Sequence, residues 1–168
     1  MLFVGWIGFN GGSTAAAVPE IAHIIANTVL AAGTGGAAGY LEGLRQDRII
    51  LPKKAFSGMV GGLVAVTAGC MVLTPAGALI VGALGGSAAV WFNSFLETRL
   101  KIDDAVGAVG VHGASGVVGT LAPALLSSVA HLPTGSRLDQ LGVQMLAPGS
   151  TSSGHSVSGS SSSGCSAR

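Results

Sequence analysis

The chain has 168 residues, of which 49% are hydrophobic and only 9% are charged, against about a quarter in an ordinary soluble domain. So few charges cannot cover a soluble fold of this size, and a net charge of +1 leaves no basic footprint for nucleic acid. The composition therefore predicts an integral membrane protein, with the lipid bilayer as a partner and no nucleic-acid partner. The two cysteines match neither a metal site nor a disulfide framework, and we expect no cofactor.

Charged residues divide the chain into apolar runs, and a run of about 20 residues is long enough to form a membrane-spanning helix. The run Ala55–Leu96 is long enough for two spans, with a natural break at Thr74-Pro75. The sequence thus predicts an all-α, polytopic membrane helix bundle with five spans in residues 1–128. The four runs are Met1–Ala17, Ile21–Leu41, Ala55–Leu96 and Ala105–Ser128.

The remaining sequence predicts no further complete span. Residues 129–147 read as an outer loop followed by a sixth helix that begins at Leu138 and stops at Ala147-Pro148. Residues 148–168 form a Ser/Gly-rich tail, which we expect to be disordered because it cannot bury enough apolar surface. At the other end, Met1 lies inside an apolar run without a basic n-region, which argues against a signal peptide and predicts a truncated chain.

Lysines and arginines concentrate in alternate loops of this partition. The positive-inside rule places such loops in the cytoplasm, so we expect loops 42–54 and 97–104 to be cytoplasmic, in a plasma or cell inner membrane. The first helix then runs outward. The basic residues in these loops are Arg45, Arg48, Lys53, Lys54, Arg99 and Lys101.

Trp6, Phe9 and Ser13 are spaced by three and then four residues, which places them on one helical face. Two interpretations remain open for this face. It packs against another helix, or it forms a pore wall with a polar entrance and an aromatic constriction. Asn10 and Ser13 are unusual on a lipid-facing stripe.

His112 lies inside the fifth predicted span. An ionisable residue at such a position is expensive and normally faces a cavity or the bundle interior. It is either satisfied by one hydrogen bond to a neighbouring helix or it is functional. Asp104 precedes the same span and can cap its free N–H groups. Thr67 is expected to bond its own helix backbone, and Trp91 to be an interfacial anchor.

The sequence contains no nucleophile–base pair, metal-ligand cluster or phosphate-binding loop in a suitable context. The glycine-rich stretches lie inside apolar runs, which disfavours dinucleotide binding. We therefore predict that the protein is not an enzyme.

Three segments together resemble the Amt/Mep/Rh ammonium transporter family: GWIGFNGGS in the first span, Asn27-Thr28 in the second, and DDAVGAVGVHGASGVVGT in the fifth. The resemblance runs in order from Met1 to about Ser128. It implies that this chain corresponds to the sixth to tenth of the family's eleven helices, hence to about half of an inverted-repeat transporter.

The resemblance also implies roles for individual residues. Phe9 is similar to one ring of a stacked gate, Ser13 to the hydroxyl of the outer ammonium site, and Trp6 to an aromatic residue lining the path below. His112 is similar to the second of two pore histidines, and Asp104 to the aspartate at the start of the same helix. Thr67 and Trp91 also fall at a Thr and a Trp of the family.

Because one half would lack its opposite wall, two hypotheses from different classes follow. The chain takes part in transport of ammonium or ammonia once a missing N-terminal half is supplied, or it is a non-conducting fragment or interaction subunit that packs with a full-length transporter. The resemblance further implies a homo-oligomer, a trimer. A third reading is an unrelated bundle of small-residue helices.

Overall fold

The computed structural model describes residues 1–49, 51–104, 106–127 and 136–146. Its principal α-helices are α1 (Leu2–Gly12), α2 (Glu20–Asp47), α3 (Pro52–Thr67), α4 (Pro75–Phe95) and α5 (Ser115–Leu126). A π-helical turn at Leu96–Leu100 extends α4, and a second at Val109–Ala114 leads into α5. Residues 137–146 are also helical. The described part of the chain has no strand beyond one isolated bridge, between Leu73 and Ser127, so the all-α prediction is confirmed.

Within the described residues, three helical segments are long and apolar enough to cross a membrane: Glu20–Asp47, Pro75–Leu100 and Val109–Leu126. Helices α1 and α3 are shorter, with 11 and 16 residues. Residues 129–135 of the predicted outer loop and the whole predicted Ser/Gly-rich tail, residues 148–168, lie outside the described residues.

The predicted end of the second span is wrong, because α2 continues past Leu41 to Asp47. The predicted end rests on the charge at Glu42, yet Glu42 bonds within the helix to Arg45 and Gln46. Gln46 Nε2 donates to Glu42 Oε1 at 2.8 Å, and Arg45 lies 3.6 Å from the carboxylate of Glu42. Pairs separated by three or four residues support an exposed helix end. The helix instead ends at Arg48, which has a left-handed backbone conformation.

Helices α2, α3 and α4 pack against one another and form the centre of the structure. Their backbones approach so closely that a methyl group on Gly35 of α2 would lie 2.6 Å from the carbonyl oxygen of Gly58 in α3. Small residues at such contacts allow membrane helices to pack by van der Waals contact. Around them lies a buried apolar cluster, which includes Ile24, Ala31, Ala65, Val66, Leu73 and Val81.

Helix α4 begins at the predicted break. The hydroxyl of Thr74 accepts a hydrogen bond from Gly77 N at 3.1 Å, and Pro75 occupies the first helical position. Both features favour a helix start, since the hydroxyl satisfies a free N–H and proline has none to satisfy.

A buried amide holds the connection between α3 and α4. Asn27 of α2 is fully buried, and its Nδ2 donates to the carbonyl oxygens of Cys70 at 2.9 Å and of Leu73 at 2.8 Å. The ring of His23 also approaches the Leu73 oxygen, with Nε2 at 2.9 Å. These carbonyls lie outside α3 and α4, so side-chain donors satisfy groups that would otherwise be costly to bury.

Cys70 lies in the connection between α3 and α4, and we predict that its thiol is poorly reactive. Burial raises the pKa of the thiol, while two backbone hydrogen bonds lower it in part. Because the thiolate is the nucleophile, maleimide labelling of a Cys165→Ser variant should be slow at neutral pH and accelerate only above the pH at which free cysteine does.

The exposed neighbour Met71 offers a matched control. A Cys70→Ser/Met71→Cys/Cys165→Ser variant should label quickly at neutral pH. Equal labelling rates at positions 70 and 71 would contradict the burial argument.

Candidate functional site

Helix α1 presents two different faces. Asn10 and Gly11 are its buried residues, and Gly11 packs against Ile21 and Ile25 of α2. Phe9 and Ser13 are exposed, and Trp6 is half-buried. Of the three residues predicted to share a face, Phe9 and Ser13 are thus exposed, whereas Trp6 is partly covered.

The hydroxyl oxygen of Ser13 is available to accept a hydrogen bond. Its O–H donates to the carbonyl oxygen of Phe9 at 2.6 Å. A hydroxyl has one hydrogen and two lone pairs, so the Ser13 oxygen is left as an acceptor. A group that carries only donors could therefore bond to it.

The rings of Trp6 and Phe9 contact each other edge to face. Their centroids are 6.5 Å apart and their planes make an angle of 69°, a geometry that aromatic pairs prefer. Phe9 keeps 62% of its surface exposed. The π-face of such a ring can contact a cation.

Thr67 connects α3 to this group. Its Oγ1 accepts from Trp6 Nε1 at 2.9 Å and its O–H donates to the carbonyl oxygen of Leu63 at 2.7 Å. The second bond is the own-helix bond expected from the sequence. The first joins residues 61 positions apart, which spacing within one helix could not reveal.

Asn10 makes an equivalent connection to α2. Its Nδ2 donates to Thr28 Oγ1 at 3.1 Å, and the Thr28 hydroxyl donates to the carbonyl oxygen of Ile24 at 2.7 Å. Asn10 and Thr28 each stand out in the sequence, but separately. The available signal that these two side chains meet was a polar residue in each of two apolar helices.

His112 is exposed and lies in the π-helical turn that precedes α5. Short π-helical segments occur frequently at functional sites. The turn is fixed at its start by two side chains: Asp104 Oδ2 accepts from Val109 N at 2.7 Å, and Asn93 Oδ1 accepts from Gly110 N at 3.0 Å. The sequence predicted capping by Asp104 but not the role of Asn93, a lone amide in an aromatic stretch with no distinguishing pattern.

Trp91 is exposed on α4 and stacks with Phe95, with ring centroids 5.7 Å apart. The structure records no hydrogen bond or ring contact that joins Trp91 or His112 to Trp6, Phe9 or Ser13 within the described residues. The six residues predicted to contact the substrate or line a pore thus form one connected group on α1 and α3, with Trp91 and His112 exposed elsewhere.

The sequence profile of the Ammonium Transporter Family matches residues 1–155. The chain belongs to this family. An ammonium transporter relative of Synechocystis sp., sll0537, is 41% identical over 150 residues, which cover 89% of this chain and 28% of that protein. Ammonium transporter Amt2 of Archaeoglobus fulgidus is 40% identical over 124 residues, covering 73% of this chain and 26% of that protein.

Solved structures agree with this assignment. The structure of a protein titled Sensor Amt Protein superimposes with a TM-score of 0.82 at 39% identity, over 86% of this chain and 36% of that one. Saccharomyces cerevisiae Mep2 gives a TM-score of 0.75 at 25% identity, with the same two coverages. Members of the family are membrane transporters and not enzymes, and this chain is an integral membrane protein. It spans less than a third of the length of the two sequence relatives.

Proposed function

We propose that this chain takes part in transmembrane transport of ammonium or ammonia as one wall of a pore, and that transport requires a further polypeptide to supply the opposite wall. The observation that carries the proposal is the group on α1, where the Ser13 acceptor, the Phe9 ring and the Trp6 ring follow one another along one helix. His112, in the π-helical turn before α5, would line the same path.

The chemistry of these groups suits a cation that must lose its water. An acceptor oxygen and a π-face can offset part of the desolvation cost at the pore mouth. Deeper in, an apolar lumen disfavours the charged form, and an imidazole can exchange a hydrogen bond or a proton with the neutral form.

We further propose that the membrane domain is residues 1–128 and crosses five times, with α1 and α3 as the two shorter crossings and the basic segments 42–54 and 97–104 in the cytoplasm. Contacts among the ends of α2, α3 and α4 at these segments support a common side. Lys53 lies 3.8 Å from the carboxylate of Glu97, and Ser94 Oγ donates to Gln46 Oε1 at 2.6 Å. We also propose that the chain lies in a plasma membrane or cell inner membrane and that it forms a homo-oligomer, a trimer.

Methylammonium uptake by cells that lack their own ammonium transporters tests the function. We expect no uptake from the chain alone and measurable uptake when it is co-expressed with the first half of the Synechocystis relative. Uptake by the chain alone would contradict the need for an opposite wall. Co-purification with a full-length relative, without uptake in any pairing, would instead identify an interaction subunit.

In an active pairing, Ser13→Ala should raise the KM for methylammonium about 10- to 100-fold, the range that corresponds to losing one hydrogen bond to a charged group. Ser13→Thr keeps the hydroxyl and should retain most of the affinity. An unchanged KM in the alanine variant would exclude Ser13 from the outer site.

His112→Ala should lower the maximal uptake rate in the same pairing. Val109→Ala, which shortens another exposed side chain of the same π-helical turn, is the matched control and should not. Equal effects of the two substitutions would argue against a role for the imidazole.

A further inference from the structure

We propose that Thr67 and Thr28 are positioning residues, which hold α1 and the ring of Phe9 in place through Trp6 and Asn10. Because it concerns the ring at the pore mouth, this inference rests on the proposed function. It assigns to Thr67 a different task from contact with the transported species, and it adds Thr28 and Asn10 to the same device.

Helix α1 has few other contacts that could fix its position. Of its 11 residues, only Asn10 and Gly11 are buried. A methyl group added at Gly5, Gly8 or Gly12 would meet no atom of a neighbouring element in the described structure within 4 Å. With so little apolar packing, directional hydrogen bonds contribute a large share of the restraint.

The bond from Trp6 to Thr67 is determined at both ends. The Thr67 hydroxyl gives its one hydrogen to the Leu63 carbonyl oxygen, so the hydroxyl oxygen can only accept. The indole of Trp6 has a single N–H and can only donate. The pairing therefore has one orientation, and it fixes the indole plane relative to α3.

Asn10 and Thr28 repeat this arrangement one helical turn further on. Both residues are buried, and Thr28 likewise commits its hydrogen to a carbonyl four residues earlier, that of Ile24. Trp6 and Asn10 are four residues apart and share a face of α1. One helix is thus attached to α3 and to α2 by two donors that meet two threonine oxygens.

Phe9 receives this restraint through its contact with Trp6. The Phe9 ring is mostly exposed, and the edge-to-face contact with the indole is the one ring contact that the structure records for it. An indole that is free to turn would leave the phenyl ring free as well. The orientation of the exposed ring therefore depends on a hydroxyl two contacts away.

The indole N–H signal of Trp6 tests the first link by NMR in lipid nanodiscs. The chain has two tryptophans, so Trp91→Phe assigns the signals, and in the wild-type background the Trp91 signal is an internal reference. Thr67→Val should move the Trp6 N–H signal upfield and leave the Trp91 signal in place, whereas Thr67→Ser should restore it. A Trp6 signal that Thr67→Val does not move would overturn the proposal.

Thr34→Val is the matched control, because Thr34 also donates to carbonyls of its own helix, at Leu30 and Ala31, and receives neither the indole nor the amide of α1. It should leave the Trp6 signal unmoved. Should Thr67→Val not fold, hydrogen exchange in the unmodified chain decides: the Trp6 indole proton should exchange more slowly than that of Trp91, and equal rates would overturn the proposal.

Transport then tests the consequence. In an active pairing, Thr67→Val and Thr28→Val should lower methylammonium uptake about 2- to 10-fold, the range that corresponds to one neutral hydrogen bond, and Thr67→Ser should rescue it. A shifted indole signal with unchanged uptake would overturn the link to the pore. If no pairing transports at all, the proposed function fails, while the indole signal still decides whether Thr67 positions Trp6.

Discussion

Replacing Asn27 with aspartate is expected to cause the largest loss of stability among single substitutions that change only one or two atoms. The amide nitrogen of Asn27 lies 2.9 Å from the Cys70 oxygen and 2.8 Å from the Leu73 oxygen. Aspartate puts an oxygen at this position, so both carbonyls lose the amide donor and face a third acceptor. The Leu73 oxygen keeps the His23 ring as a neighbour, whereas the structure records no other donor for the Cys70 oxygen in the described residues. Each unsatisfied buried group costs about 1–3 kcal/mol, and an ionised carboxylate would cost more.

Asn93 can carry the same substitution, but its amide acts as an acceptor rather than as a donor. It uses Oδ1 to accept from Gly110 N, and aspartate retains that oxygen. Thermal unfolding in detergent micelles should therefore show a large drop for Asn27→Asp and a small one for Asn93→Asp. Similar losses in both variants would mean that the donor role of Asn27 is unimportant.

Gly35→Ala is expected to destabilise the packing of α2 against α3 by about 1–3 kcal/mol, the usual cost of overpacking a core. The added methyl group would lie 2.6 Å from the Gly58 carbonyl oxygen and 2.9 Å from the Gly62 Cα. Both are backbone atoms, which cannot rotate away as a flexible side chain does. The helices must move apart, and the glycine contacts beside them are lost.

Gly33 is the matched control on the same helix. It is exposed, and an added methyl group there would meet no atom of the described neighbouring elements within 4 Å. Gly33→Ala should leave stability unchanged or raise it slightly, since alanine favours helix. The fraction of folded protein that survives heating, measured by size-exclusion chromatography, distinguishes the two. A Gly35→Ala variant as stable as Gly33→Ala would contradict the close approach.

Much of the helix order could be predicted from sequence because it depends on local chemistry. Thr74-Pro75 starts α4 through one hydroxyl and one missing N–H. The end of α2 could not be read in the same way, since Glu42 and Arg45 break an apolar run but bond to each other within the helix. Hydropathy reports where a segment is apolar, whereas hydrogen bonds and ion pairs decide where a helix ends.

The candidate site divides along the same line. Trp6, Phe9 and Ser13 share a face of one helix, which spacing alone predicts. The partners of Trp6 and Asn10, by contrast, lie 61 and 18 residues away on other helices. A threonine that bonds its own carbonyl has the same sequence signature whether or not an indole donates to it.

Scarce charge and long apolar runs were enough to predict an all-helical membrane protein, because such segments favour lipid over water. Motifs in three of these runs pointed to the ammonium transporter family, and the spacing on α1 predicted a shared face for Trp6, Phe9 and Ser13. The fold was needed to show that Thr67 and Thr28 accept hydrogen bonds from α1, that His112 lies in a π-helical turn, and that Asn27 holds the α3–α4 connection. Those features depend on contacts between distant segments, and the close glycine packing of α2, α3 and α4 brings these segments together.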